Sequence, residues 1–205
     1  YHDPSDPYNI HYQPWSSSTI GPESNPYNAF GYGPSTNMPS PNLTGSSANY
    51  DWGVYNPIIN GGNLPNLWRT LLIEEWSYVF NTRNTISGMR YAKANVNGVD
   101  GVIILPDDWE ESNYQINDAN TGNSLFSINT ISVTEWTSVF ETNGAVFLPA
   151  TFRTDVNYSE GCYYSSSYYD WLIAYQLWFN DSKLYNATQF GRCNACYVRL
   201  AQDVE

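Results

Sequence analysis

The most reactive side chains of this chain crowd its last quarter: Cys162, Cys193 and Cys196. A thiolate serves as nucleophile, metal ligand or disulfide partner, so the spacing of these residues bounds the chemistry on offer. Cys193 and Cys196 stand in a C-x-x-C arrangement, which suits a redox pair or half of a zinc site. Tetrahedral zinc needs two further ligands, and the histidines, His2 and His11, lie at the opposite end of the chain. A disulfide framework would be even in number and spread along the sequence. Incidental thiols are the expectation, with a local or intermolecular disulfide and metal or redox chemistry left open.

Carboxylates form a second cluster, Asp107, Asp108, Glu110 and Glu111. Calcium takes about six to eight oxygens, and this run reads instead as a solvated acidic turn. A hydrolase needs a nucleophile beside a base, or two carboxylates held across a cleft. No G-x-S-x-G is present, and both histidines fall in a Pro-rich stretch, so no enzyme, metal or cofactor is expected. The third set is aromatic: 18 Tyr and 8 Trp bring the aromatic share to 17%. Tyr and Trp bury a large area while keeping a polar tip, which suits half-exposed binding surfaces.

Charge narrows the partners. A net charge of -12 with only 8 Lys plus Arg leaves nothing to neutralise phosphates, so nucleic acid is excluded and anionic membranes are disfavoured. No apolar run approaches the roughly 20 residues of a membrane-spanning helix, so no membrane insertion is expected. The chain opens on Tyr1 without a signal sequence, and the expectation is a mature, trimmed or excised fragment of an exported protein.

The elements that must hold these side chains begin after a Pro-, Asn-, Ser-, Gly- and Tyr-rich segment over residues 1–67, which carries most of the 12 prolines. Such proline density forbids long helices and central strands. The aromatics Tyr8, Trp15, Tyr27, Phe30, Tyr50 and Trp52 argue against simple disorder. The segment is expected to be irregular but packed, an arm on a second region, 68–205.

A weak internal repeat organises that region. Glu75-Trp76-x-x-Val79-Phe80, then Asn97-Gly98, then Val102-Ile103-Ile104-Leu105-Pro106, is echoed by Glu135-Trp136-x-x-Val139-Phe140, Asn143-Gly144 and Ala145-Val146-Phe147-Leu148-Pro149. The i, i+3, i+4 spacing of Trp76, Val79 and Phe80, and of Trp136, Val139 and Phe140, predicts two short helices. Ser132 followed by Glu135 is a capping-box pattern, and Thr70 is the candidate cap ahead of Glu74 and Glu75. The Val- and Ile-rich runs read as buried strands. The two helices are expected to flank one sheet, with Trp76, Phe80, Trp136, Phe140, Val102, Ile104, Val146 and Leu148 in a shared core. Further on, residues 173–180 read as a strand with Tyr175, Leu177 and Phe179 facing the core, and Ala174, Gln176 and Trp178 facing outward. The fold class is α+β.

Several of these segments resemble a known family. Trp68-Arg69-Thr70-Leu71 with Glu75-Trp76, Arg90-Tyr91-Ala92-Lys93-Ala94, Asn97-Gly98-Val99 and Leu105-Pro106-Asp107-Asp108-Trp109 are similar to secreted gut-Bacteroidales proteins with the Fibrobacter succinogenes major paralogous domain. So is the closing frame of Gly161, Tyr164-Ser165-Ser166, Ala174-Tyr175, Leu177, Phe179, Arg192 and Val198-Arg199-Leu200. Tyr164 departs from the family's usual Trp. The frame resembles the C-terminal half of a C-type-lectin-like fold, in which two helices flank a small antiparallel sheet. It also resembles the variable proteins of diversity-generating retroelements.

That resemblance implies a ligand- or receptor-binding module exposed at a cell or virion surface, on a lipoprotein, pilus tip or phage fibre. Its partner would be a protein or glycan on another cell surface, met through a C-terminal region, 161–200. The residues expected to carry binding lie between the frame positions: Asp170, Trp171, Leu172, Ile173, Gln176, Trp178, Asp181, Lys183, Tyr185, Gln189, Phe190, Cys193 and Asn194. Trp171, Trp178, Tyr185 and Phe190 are expected on one exposed patch. The alternatives are a constant structural module of a surface protein, or an enzyme of the formylglycine-generating type, whose motif the residues around Cys193 and Cys196 do not match.

Overall fold

Two short helices and several small sheets make up a mixed α+β structure. The computed structural model describes residues 42–45, 48, 51, 54, 62, 64, 66–150, 153–154, 159–169, 173–191 and 196–203. In chain order the elements are β1 (Arg69–Thr70), α1 (Ile73–Ser77) continued by a π turn (Tyr78–Thr82), β2 (Tyr91–Val96), β3 (Val99–Ile104), a 3-10 turn (Phe126–Ile128), β4 (Thr130–Ile131), α2 (Val133–Glu135) continued by a π turn (Trp136–Glu141), β5 (Val146–Pro149), β6 (Arg153–Thr154), β7 (Ser159–Tyr168), β8 (Ile173–Asn180), β9 (Leu184–Gly191), β10 (Tyr197–Val198) and β11 (Leu200–Ala201). They divide between two compact units, one of residues 74–162 and 177–186, the other of residues up to 73, 163–176 and 187 onward.

The first unit is built on a four-stranded sheet in the order β4-β2-β3-β5. Asn97 and Gly98 both adopt positive φ, 50° and 84°, the two-residue turn whose twist matches a β2–β3 hairpin. The strands of the two repeat copies are direct neighbours, with Val102 opposite Leu148 and Ile104 opposite Val146. In the second copy the same dipeptide does a different job. Gly144, at φ 84°, ends the second helix, and the Ala145 N–H donates back to the Phe140 carbonyl at 2.9 Å.

The helices flank this sheet as expected, one on each face. Phe80 meets the Tyr91 ring edge-on at 4.8 Å, whereas Phe140 joins Ala92, Ala94, Ile103 and Leu105, which point the other way along β2 and β3. The eight residues expected in one core are therefore split by the sheet. Trp136 and Phe140 pack with Ile103, Leu105 and Phe147, while Val102 and Leu148 are buried on the opposite face. Trp136 is half-buried, stacked on Phe140 at 5.7 Å, which is stacked in turn on Trp109 at 5.2 Å. Alternation fails as a guide here because both faces of the sheet are covered.

The capping box at α2 is formed: Ser132 Oγ accepts from the Glu135 N–H, and Glu135 Oε2 accepts from the Ser132 N–H at 2.8 Å. Thr70 is no cap. It lies in β1, where its N–H and hydroxyl both donate to the buried Asp51 carboxylate, at 2.6 and 2.9 Å. The first N–H of α1, on Ile73, donates instead to Ser167 Oγ at 2.9 Å. A residue distant in sequence thus replaces the expected local cap.

In the second unit the first and last described strands pair antiparallel, Arg69 opposite Ala201, reinforced by the Arg69 guanidinium on Asp203 at 2.7 Å. The serines of the closing frame are buried and bonded. Ser165 Oγ donates to the Tyr175 carbonyl at 2.9 Å, and Ser166 Oγ donates to the Thr70 carbonyl at 3.0 Å. Tyr164 is fully buried, and its hydroxyl donates to the Gly191 carbonyl, which satisfies its polar tip. From the Pro-rich segment, Leu43 is buried and its N–H donates to the Ser166 carbonyl at 2.8 Å. The rest of the arm expected over residues 1–67 lies mostly outside the described residues.

Candidate functional site

The larger C-terminal sheet runs β10-β7-β8-β9, with β6 also paired to β7, and β9 ends that order. β8 and β9 are joined by a tight turn. The Asn180 N–H donates to the Lys183 carbonyl at 3.0 Å, and Asn180 Oδ1 accepts from the Ser182 and Lys183 N–H groups at 3.0 and 2.9 Å. An Asn side chain that binds the backbone two and three residues on closes such a turn without help from tertiary contacts.

Counting back from the Asn180–Lys183 pair places Trp178 opposite Tyr185. Their rings stack at 5.9 Å with planes 18° apart. Tyr185 is 50% exposed and Trp178 half-buried. The residues beside Trp178 anchor the strand. Leu177 and Phe179 are fully buried, Phe179 edge-on to Phe126 at 6.3 Å and packed against Gly161, where any side chain would collide with its ring. The pair is therefore a half-exposed aromatic stack on a firmly seated strand.

Asp181 and Lys183 occupy the same turn, half-buried and exposed respectively. Behind the hairpin lies Lys93 on β2, fully buried. Its Nζ donates to the Gly122 carbonyl at 2.6 Å and sits 5.5 Å from the Phe126 ring centroid. Burial pulls the Lys93 ammonium down to about 8, and the Asp181 carboxylate works against that shift.

The remaining expected site residues scatter. Gln176, expected to face outward and bind, is only 2% exposed, and its Oε1 lies 3.3 Å from Cys196 Sγ. Ala174 is buried as well, while Tyr175, expected in the core, is half-buried and edge-on to Tyr169 at 5.4 Å. β8 is covered on both faces along much of its length, so its period of two does not separate core from surface. On β9, Tyr185, Ala187 and Gln189 are exposed, whereas Leu184, Asn186, Thr188 and Phe190 are half-buried. Phe190 thus leaves the exposed patch expected for it, pointing to the opposite side of the strand from Tyr185. Ile173 is half-buried. Asp170, Trp171, Leu172, Cys193 and Asn194, with the frame residue Arg192, lie outside the described residues.

The expectation of incidental thiols is corrected for two of the three cysteines: Cys162 and Cys196 are disulfide-bonded. Cys162 precedes Tyr163 on β7, and Cys196 precedes Tyr197 on β10, residues that pair in parallel register. C-x-x-C spacing drew attention to the wrong partner, because strand pairing outranks nearness in sequence. Among the described residues, no three His, Cys, Asp or Glu side chains converge to hold a metal ion. Asp107 of the acidic turn is held by Arg83 at 3.2 Å. No described helix is long and apolar enough to cross a membrane.

Two features escaped sequence reasoning. Tyr168 and Tyr169, exposed at the end of β7, add aromatic surface just before the Asp170–Trp171 positions, and their signal was the Tyr-Tyr pair closing the serine run. Lys93 and Gly122, which support the hairpin, carried no signal of their own.

No protein-family model, curated protein or solved structure matches this chain.

Proposed function

We propose that this chain is a non-enzymatic, ligand-binding surface module of the C-type-lectin-like class, which recognises a protein or glycan on another cell surface through the β8–β9 hairpin. The observation that carries the reading is the Trp178–Tyr185 stack. Aromatic rings supply contact area at low entropic cost, and a few of them concentrate most of the affinity of a binding surface. Two helices flanking a small sheet, antiparallel but for the short parallel pairing of β4 with β2, support the C-type-lectin-like assignment. The Cys162–Cys196 disulfide supports export, since such bonds persist in oxidising compartments.

Replaceable specificity belongs to the same proposal. In sequence, the stacked pair, the turn residues Asp181 and Lys183, and Gln189 and Asn194 lie between frame positions, the arrangement expected of a retroelement-diversified segment. A template repeat matching the codons of residues 162–196, beside a reverse transcriptase gene, is the expected finding. An unrelated genomic neighbourhood, with the same hairpin sequence in every copy of the gene, would point to a constant structural module. For binding itself, the test is retention of the chain on glycan and cell-surface protein arrays, compared with a Trp178→Ala/Tyr185→Ala variant.

A further inference from the structure

A fully buried lysine is costly. Burial disfavours the charged form, and replacing such a charge with an apolar side chain of similar volume is often neutral or stabilising. Among the described residues, no carboxylate lies within salt-bridge distance of Lys93, and its one hydrogen-bond acceptor is the Gly122 carbonyl at 2.6 Å. A residue buried at that cost invites a role beyond stability.

Its surroundings indicate the role. Gly122 is wedged against β9: a Cβ there would stand 2.9 Å from both the Cβ and the backbone nitrogen of Leu184. Leu184 directly precedes Tyr185. Phe126, below the ammonium, packs on Phe179, which directly follows Trp178. Asp181, in the turn between the two aromatic residues, is the acid whose field reaches Lys93. One buried cation therefore faces the bend at Gly122 and the ring under β8. Along the same face of the sheet, Asp100 is taken by Asn95 and Ser159, at 2.7 and 3.0 Å, and Tyr91 packs on Phe80.

We infer that Lys93 is a positioning residue for the recognition hairpin: its ammonium ties the Gly122 bend, which abuts Leu184 of β9, to the central sheet, and so fixes the Trp178–Tyr185 pair in place. The inference rests on the proposed function for the word recognition, but its mechanics are testable without a ligand.

The experiment is amide hydrogen exchange of the full chain, read by mass spectrometry over residues 177–186, alongside denaturant unfolding. Lys93→Met keeps the stem and removes the charge. Its unfolding midpoint is expected to equal or exceed that of the wild type, while exchange across 177–186 rises about tenfold or more and the two helices keep their protection. Gly122→Ala, which leaves Lys93 intact but forces the bend off Leu184, is expected to loosen the same peptide. The wild type at pH 9.5, corrected for intrinsic exchange, is expected to shift toward the Lys93→Met pattern relative to pH 7.

Unchanged hairpin protection in Lys93→Met overturns the inference, as does a lowered midpoint with exchange raised uniformly, which would make Lys93 ordinary packing. If Lys93→Met fails to fold, an unchanged hairpin in the wild type at pH 9.5 overturns it equally. A hairpin that loosens in Lys93→Met, together with intact binding by Trp178→Ala/Tyr185→Ala, contradicts the proposed function and leaves the positioning role standing.

Discussion

Trp178 and Tyr185 each have an aromatic partner and a share of exposed surface. A cross-strand aromatic pair contributes roughly 0.2–1 kcal/mol beyond Ala, so truncating both should lower stability by about 1 kcal/mol. Phe140, fully buried between Trp109 and Trp136, should cost about 3–5 kcal/mol when cut to Ala, measured by urea unfolding. Lys93 gives a pH signature of opposite sense to an ion pair. Burial lowers its pKa from 10.5 to about 8, so the unfolded chain holds the proton more tightly. The cost of the buried charge is present in full below pH 8 and is relieved as the pH climbs toward 10.5. Stability should therefore rise by up to roughly 2 kcal/mol between pH 8 and 10, before the tyrosines titrate, and Lys93→Met should abolish the rise. Trp178 and Tyr185 were legible in the sequence because they fall between the frame positions and add to its aromatic content. Lys93 was not, since a lysine in a strand reads as a solvent-facing residue until the opposite face is known to be covered.

The elements show the same division between local and distant causes. The α2 capping box was readable because Ser132 and Glu135 satisfy each other's backbone groups within one turn, and Ser132→Ala should cost about 1 kcal/mol in a thermal or denaturant melt. The start of α1 was misread because its N–H is met by Ser167, far along the chain. Both helices relax into π turns, which the i, i+3, i+4 pattern does not distinguish from α-helix. The repeat correctly put two helices on one sheet but gave helices and strands a single core, because periodicity reports that a face is buried and not which neighbour buries it. On β8 the inward set included Leu177 and Phe179 correctly. Gln176 was lost to the surface reading since nothing in its own segment announces Cys196. Gly161→Ala should destabilise by about 1–3 kcal/mol, because the Phe179 ring it would strike is fully buried and has nowhere to move.

At the scale of the whole molecule, the disulfide between Cys162 and Cys196 closes a loop of roughly 35 residues around β7, β8 and β9, worth about 4 kcal/mol by chain entropy. Reduction should lower the melting temperature without chelators having any effect, which separates a covalent staple from a C-x-x-C metal site. The α+β class followed from the helix and strand pattern. The pairing of β1 with β11 and the division into two units depend on contacts between distant segments, which composition and periodicity do not encode. The central claim is that recognition is concentrated in the Trp178–Tyr185 pair while the frame holds the fold. Its most direct test is to array the wild type and the Trp178→Ala/Tyr185→Ala variant on glycans and cell-surface proteins, with melting curves run in parallel. At least one ligand should be retained by the wild type and bound roughly 30-fold or more weaker by the variant, at nearly unchanged melting temperature. Equal binding by both proteins, or loss of binding only in step with loss of stability, would contradict the account.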